Sequence, residues 1–239
     1  MAKLVFDIET SALPIDNFDE AQQEYLFREA NKLPDPIARH ARKGELEQQM
    51  NLYPLTARVV CIAMLNAESQ RGQVLFTADE HEEQEAQAGP VEFLPCMDEA
   101  EMLNAFWDVA VHYDSIVTFN GRGFDIPFIY LRSALLNVPI TRKDWLGYRY
   151  QTEPHCDLAE QLTFYCVSGR DGAAKRFNLD FYCKAFGIES PKAQGVCGLD
   201  VNRLIATGEH RQVAEYCLRD VQATVLLYQI WKERLSGIR

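Results

Sequence analysis

Apolar and polar residues alternate through Leu4-Val5-Phe6-Asp7-Ile8-Glu9-Thr10, the spacing of a β-strand. Successive strand side chains point to opposite faces. Leu4, Phe6 and Ile8 therefore share one face and Asp7 and Glu9 the other, the two acids about 6–7 Å apart along the chain. Short apolar runs predict further strands at Arg58–Leu65, at Gln73–Phe76 (closing a hairpin across Asn66–Gly72), at Ser115–Phe119 and near Cys156–Asp157. Helical spacing marks Asp98–Tyr113, where Met102, Leu103, Phe106, Trp107 and Ala110 recur behind an Asp98 cap. Helices are also expected from about Ile126 to Asn137 with Pro127 in the first turn, at Leu158–Tyr165, Leu179–Phe186 and Leu199–Ala206, and from near Glu209 towards Arg234. The polar stretch Asp16–Asn51, broken at Leu33-Pro34-Asp35-Pro36, reads as one or two surface helices inserted after the first strand. A hairpin followed by strands alternating with helices predicts an α/β fold with a mixed five-stranded sheet flanked by helices. No repeat or linker interrupts the chain, so residues 1–239 are expected to form one domain with a helical insertion at about 16–51.

Composition narrows the class. With 47% hydrophobic and 25% charged residues the chain is ordinary globular protein. No apolar run reaches the length of a membrane span, and Met1-Ala2-Lys3 leads straight into the first strand without a signal peptide. Seven cysteines without a C-x-x-C pair fit reduced thiols, and Cys61 and Cys217 sit in apolar surroundings as small hydrophobes. Together these features predict a cytoplasmic protein with no membrane partner. The net charge of −11 argues against a broad nucleic-acid surface, an objection weakened only where bound divalent ions neutralise acids locally. Short-range substrate binding, with little affinity for duplexes, is the expectation. The acidic run Asp79–Pro90 reads as a solvated loop, in which His81 is a poor ligand candidate. Arg28, Lys32, Arg39, His40, Arg42 and Lys43 in the insertion form either a solvated face or a flap offering cations to a phosphate backbone.

Two carboxylates side by side on an apolar strand are costly to keep ionised, and a cation between them removes that cost. Asp7 and Glu9 are thus candidate ligands of a hard divalent metal, unless the strand frays there and both are solvated. Asp125 follows a strand where the chain turns into a helix, the place where ligands bind in open α/β sheets. It reads equally as a helix cap, with Asn120-Gly121 as a simple turn. Tyr216 and Asp220, four apart, share one helix face. Asp220 either serves an ion or pairs with Arg219 or Arg211 on the solvent side.

Taken in order, Asp7-x-Glu9 on the first strand, Asn120-x-x-x-Phe124-Asp125 at a strand-to-helix turn and Tyr216-x-x-x-Asp220 on the closing helix resemble the three signature segments of the DEDDy 3′–5′ exonucleases. The likeness is to the proofreading exonuclease domain of family-B DNA polymerases and its stand-alone relatives, and runs from Lys3 to about Trp231. It implies a ribonuclease H-like fold and two divalent ions, Mg²⁺ with Mn²⁺ as substitute. Asp7 would be shared by both ions, with Glu9 and Asp220 on the side of the attacking water and Asp125 at the second ion. The Tyr216 hydroxyl would orient the water. It further implies that Asn120 touches the terminal nucleotide. Phe124 either stacks on a base or belongs to the core. Arg170, Lys175, Arg176 and Lys192 are candidate phosphate contacts or plain surface charge. The expected substrate is the 3′ end of single-stranded DNA, with RNA the close rival. The polymerase-type middle segment and the absence of room for an accessory RNA-binding domain after the last helix favour DNA.

Overall fold

The computed structural model describes residues 2–78, 89–165, 175–192, 195 and 198–238. Its centre is β1 (Lys3–Ala12), whose long apolar alternation suits burial on both faces. β2 (Ala57–Asn66) lies antiparallel to it and β3 (Gly72–Thr77) returns antiparallel to β2, as the hairpin pattern predicts. Gly72 is required at that return, since a Cβ there would stand 1.9 Å from the Met64 carbonyl oxygen. On the other side of β1, β5 (Ser115–Thr118) and β6 (His155–Asp157) add in parallel.

The sheet has six strands, not five. Val91–Cys96 forms β4, parallel to β3 at the far edge, in the order β4-β3-β2-β1-β5-β6. Pro95 hid it, because proline argues against a strand except at a sheet edge, where this one lies.

Leu4, Phe6 and Ile8 face a core built with Ile62, Met64, Met102, Phe106, Trp107 and Trp145. It is covered by α3 (Glu99–Ala110) and α4 (Asp125–Leu135). Val5, Cys61 and Ala63 face a second core formed with Val213, Ala214, Cys217 and Val221 of α8 (His210–Arg234). Asp7 and Glu9 lie on this second face, directly under α8.

The insertion is a helical hairpin, α1 (Glu20–Asn31) and α2 (Pro36–Gln49). Asp19 and Asp35 cap the two helices, and Pro36 sits in the first turn of α2. The helix expected over Leu158–Tyr165 stops as α5 at Leu158–Gln161, because Phe164 and Tyr165 take positive φ values of 50° and 56°. α6 (Leu179–Phe186) and α7 (Val201–Ala206) lead back to α8. Among the described residues no helix is long and apolar enough to cross a membrane. Arg170 and most of the acidic run, with His81, lie outside the described residues.

Candidate active site

β5 pairs with β1 only along Lys3–Val5, so the β1 edge beyond that point is open. Asp125, the first residue of α4, fills the gap: its carboxylate accepts the Ile8 N–H at 3.2 Å. Asp125 is therefore not the helix cap, a position held by Phe124. Its carboxylate also lies within hydrogen-bonding reach of Asp7. From above, α8 brings Asp220 and Tyr216, and the Tyr216 hydroxyl is placed to donate to the Asp220 carboxylate. The helix is anchored beside Asp7 by Cys217, whose Sγ donates to the Asp7 carbonyl at 3.5 Å.

Five residues distant in sequence thus meet, and their electrostatics record it. Burial, then Asp125, Asp220 and Glu9, push the Asp7 carboxyl well above its ordinary value. Burial, then Asp220 and Asp125, do the same to Glu9. Burial raises Asp125 to about 7 and Asp220 to about 6, the latter partly offset by Tyr216 and by the nearby Lys192 and Arg219. Burial and the charges of Glu9, Asp220 and Asp7 raise Tyr216, so its hydroxyl stays neutral and acts as a donor.

Elsewhere the buried Glu99 meets Arg132 at 2.6 Å, the half-buried Glu160 meets Arg122 and Arg149, and the buried Asp157 is satisfied by backbone amides. Among the described residues none of the four site carboxylates has a lysine or arginine within 4 Å. Arg219 instead donates to the Pro191 carbonyl at 3.2 Å, and Arg211 meets Glu215 and lies over the Phe93 ring. Like charges gathered with no cationic side chain in ionic contact among the described residues suit a hard divalent cation, which takes carboxylate oxygens. The tightest set of ligand-type atoms, all within 4.8 Å of one another, is Asp7, Glu9 and Cys217. The Cys217 thiol is a poor ligand for such an ion. Burial raises it well above the ordinary thiol range, and its hydrogen is directed at a carbonyl. Asp125 and Asp220 stand a step further out from that set.

Beside Glu9 opens a cleft of about 480 Å³ lined by Phe124, Lys192, Gln48, Gln49 and Asn51 among others. Phe124 packs on Phe128, with ring centroids 5.4 Å apart, and also lines the cleft. Lys192 reaches the cleft. Arg176 donates to the Asn120 side-chain oxygen. Lys175 lies over the Phe177 ring, 5.2 Å from its centroid, and is not joined to the acids. The insertion contributes the cleft wall through the end of α2, and several of its cations have partners within the insertion. Arg39 donates to the Leu33 carbonyl, Arg42 pairs with Glu45, and Lys43 lies over Phe27.

Sequence reasoning missed Asp157. Buried at the end of β6, it accepts from the Asn120 N–H (2.9 Å), the Arg122 N–H (3.0 Å) and the Ala159 N–H (3.0 Å). It clamps the loop that carries Asn120, Phe124 and Asp125. Thr118 supports the same turn: its hydroxyl bonds His155 Nε2 at 2.8 Å and accepts the Gly121 N–H at 3.1 Å. A Cβ on Gly121 would stand 2.4 Å from that hydroxyl oxygen, so the turn needs glycine. The one signal for Asp157 was an aspartate immediately before a helix, which is the position of an N-cap.

The arrangement is that of an exonuclease-type α/β domain. Its fold matches part of the family B DNA polymerase from the hyperthermophilic archaeon Pyrobaculum calidifontis, with a TM-score of 0.56 and 22% identity over 96% of this chain and 24% of that one. The chain belongs to the family of predicted 3′–5′ exonucleases related to the exonuclease domain of PolB, whose model matches residues 52–236. It is 29% identical over 136 residues to DNA polymerase 1 of Saccharolobus solfataricus and 30% over 138 residues to that of Sulfurisphaera ohwakuensis. Each match covers 54% of this chain and 15% of the relative, so the chain spans only a small part of the length of these curated relatives.

Proposed function

We propose that the chain is a metal-dependent 3′–5′ exonuclease of the DEDDy type. In this reading residues 1–239 form one catalytic domain that removes nucleoside 5′-monophosphates from the 3′ end of single-stranded DNA. The observation that carries the proposal is the group of four carboxylates from β1, α4 and α8, gathered against mutual repulsion with no lysine or arginine within 4 Å among the described residues. The DNA preference draws support from the names of the curated relatives, which are DNA polymerases.

Asp7, Glu9, Asp125 and Asp220 would hold two divalent ions, Mg²⁺ or Mn²⁺. When bound, these supply Lewis-acid stabilisation of the phosphoryl oxygens and acidify the attacking water. Water adds to the terminal phosphorus, the bond from phosphorus to the 3′-oxygen breaks, and that oxygen leaves as a hydroxyl after taking a proton. The neutral Tyr216 hydroxyl, tethered to Asp220, orients the water rather than deprotonating it. Phe124 and Asn120 hold the terminal nucleotide, with Lys192 and Arg176 on its phosphates. Asp157 keeps the Asn120–Asp125 loop in register.

The test compares matched 5′-labelled DNA and RNA strands with and without divalent metal. Stepwise shortening from the 3′ end is expected with metal only, faster on DNA. Asp7→Ala and Asp220→Ala, both folded, lose activity by about a hundredfold or more. Tyr216→Phe keeps the fold and loses about tenfold in kcat. Equal rates in Asp220→Ala and the parent would refute the assignment; faster shortening of RNA would move the substrate to the exoribonuclease class.

A further inference from the structure

On a chain of net charge −11, three arginines gather beside the site loop. Arg122 and Arg149 contact the single carboxylate of Glu160 at 3.2 Å and 2.6 Å, and Arg176 is near enough to act on the same group. Asp157, the other acid at this place, is turned inward to three backbone amides. Among the described residues, three guanidinium groups thus gather around two carboxylates at this place.

The cluster starts at the site loop. Arg176 donates to the Asn120 side chain, and Arg122, within that loop, donates to the Gly147 carbonyl at 3.1 Å. From Gly147 the chain continues into Tyr148 and Tyr150, which are 67% and 49% exposed. Their rings meet edge-on at 5.4 Å, Tyr150 meets Tyr165 at 5.1 Å, and the Arg149 guanidinium lies 5.7 Å from the Tyr150 centroid. Burial does not explain two large, exposed rings side by side on a loop. Nor does local preference explain Tyr165, which holds a left-handed backbone (φ 56°) that aromatic residues rarely adopt and that recurs at functional sites.

Rings next to guanidinium groups are what a single strand of nucleic acid needs when it is held without reading its sequence: phosphates neutralised and base faces stacked. We infer that Tyr148, Tyr150 and Tyr165, with Arg149, form a stacking platform for the single-stranded segment lying 5′ of the terminal nucleotide. The strand's polarity rests on the exonuclease reading; the binding itself does not.

The test titrates fluorescein-labelled oligothymidylates, one of about three residues and one of about 20, into Asp7→Ala protein with and without Tyr148→Ala and Tyr150→Ala, following anisotropy. Removing both rings is expected to weaken the longer strand by on the order of ten- to a hundredfold and to leave the shorter within about twofold. Phenylalanine at both positions restores the affinity, since stacking needs the ring and not the hydroxyl. Arg149→Gln, with the rings intact, lowers the log–log salt slope by about 0.7. Unchanged affinity for the longer strand, an equal loss on both lengths, or an unchanged salt slope overturns the platform. Hydrolysis by the parent protein is scored separately. Ring-dependent binding without hydrolysis keeps the platform and removes the exonuclease reading; hydrolysis with ring-independent binding does the reverse.

Discussion

At the scale of single residues, the four clustered acids bear on stability as well as on the proposed chemistry. Asp125 and Asp220 are raised to about 7 and about 6, chiefly by burial, against an unfolded value of about 4. Between those limits the folded protein binds more protons than the unfolded chain. Without metal, their contribution to stability therefore falls as pH rises from about 4 to about 7 and stays low above. Thermal melts in chelator are expected to show this loss, and Asp125→Asn, which removes one buried charge, should flatten the profile and raise Tm at pH 8. Divalent ion added at pH 8 should raise the parent's Tm by mass action and the variant's by less. A variant whose profile keeps the parent's slope would show that Asp125 is not strained by its neighbours.

Among the elements, the short β5 and β6 matter more than their length suggests. Because β5 ends early, β1 exposes the Ile8 amide that captures Asp125. Because β6 ends in Asp157, the loop after β5 is pinned at two amides, those of Asn120 and Arg122. Asp157→Ala would leave those donors unpaired at a cost of about 2–4 kcal/mol, read from urea unfolding. It should also lower kcat/KM, since Asn120 and Phe124 ride on the same loop. Full activity in a destabilised Asp157→Ala protein would confine Asp157 to folding. Beyond the local cap on Ala159, the clamp on the Asn120 loop was not legible from Asp157's neighbours, because its partners there are 35 and 37 residues away. The pairing of β4 with β3 was equally hidden, an edge strand carrying a proline and joined by a long connection. By contrast β1, β2, β3, α3 and α8 were legible, since their apolar spacing is the direct imprint of which face is buried.

Across the whole molecule, the charge balance bears on the proposed encounter with nucleic acid. The net −11 repels phosphate at range, and Arg39, Arg42 and Lys43 of the insertion are engaged within it. Partnered in this way, these cations offer a duplex less attraction than free ones would. Blunt duplex DNA is accordingly expected to bind at least about tenfold more weakly than a single strand of equal length at physiological salt, measured by anisotropy. Comparable affinities would mean that a cationic surface larger than the arginine cluster at Glu160 is at work.

What the amino-acid order determined by itself is periodic. Asp7 and Glu9 share a strand face and Tyr216 and Asp220 a helix face because backbone geometry repeats every two and every 3.6 residues. Tertiary structure alone decided that these faces oppose one another and that Asp125 reaches across to the Ile8 amide. It alone tied up the insertion's arginines and set Tyr148 and Tyr150 beside Arg149. Those outcomes depend on strand order and helix packing, which join residues far apart in the chain and leave no repeat in the order of its letters.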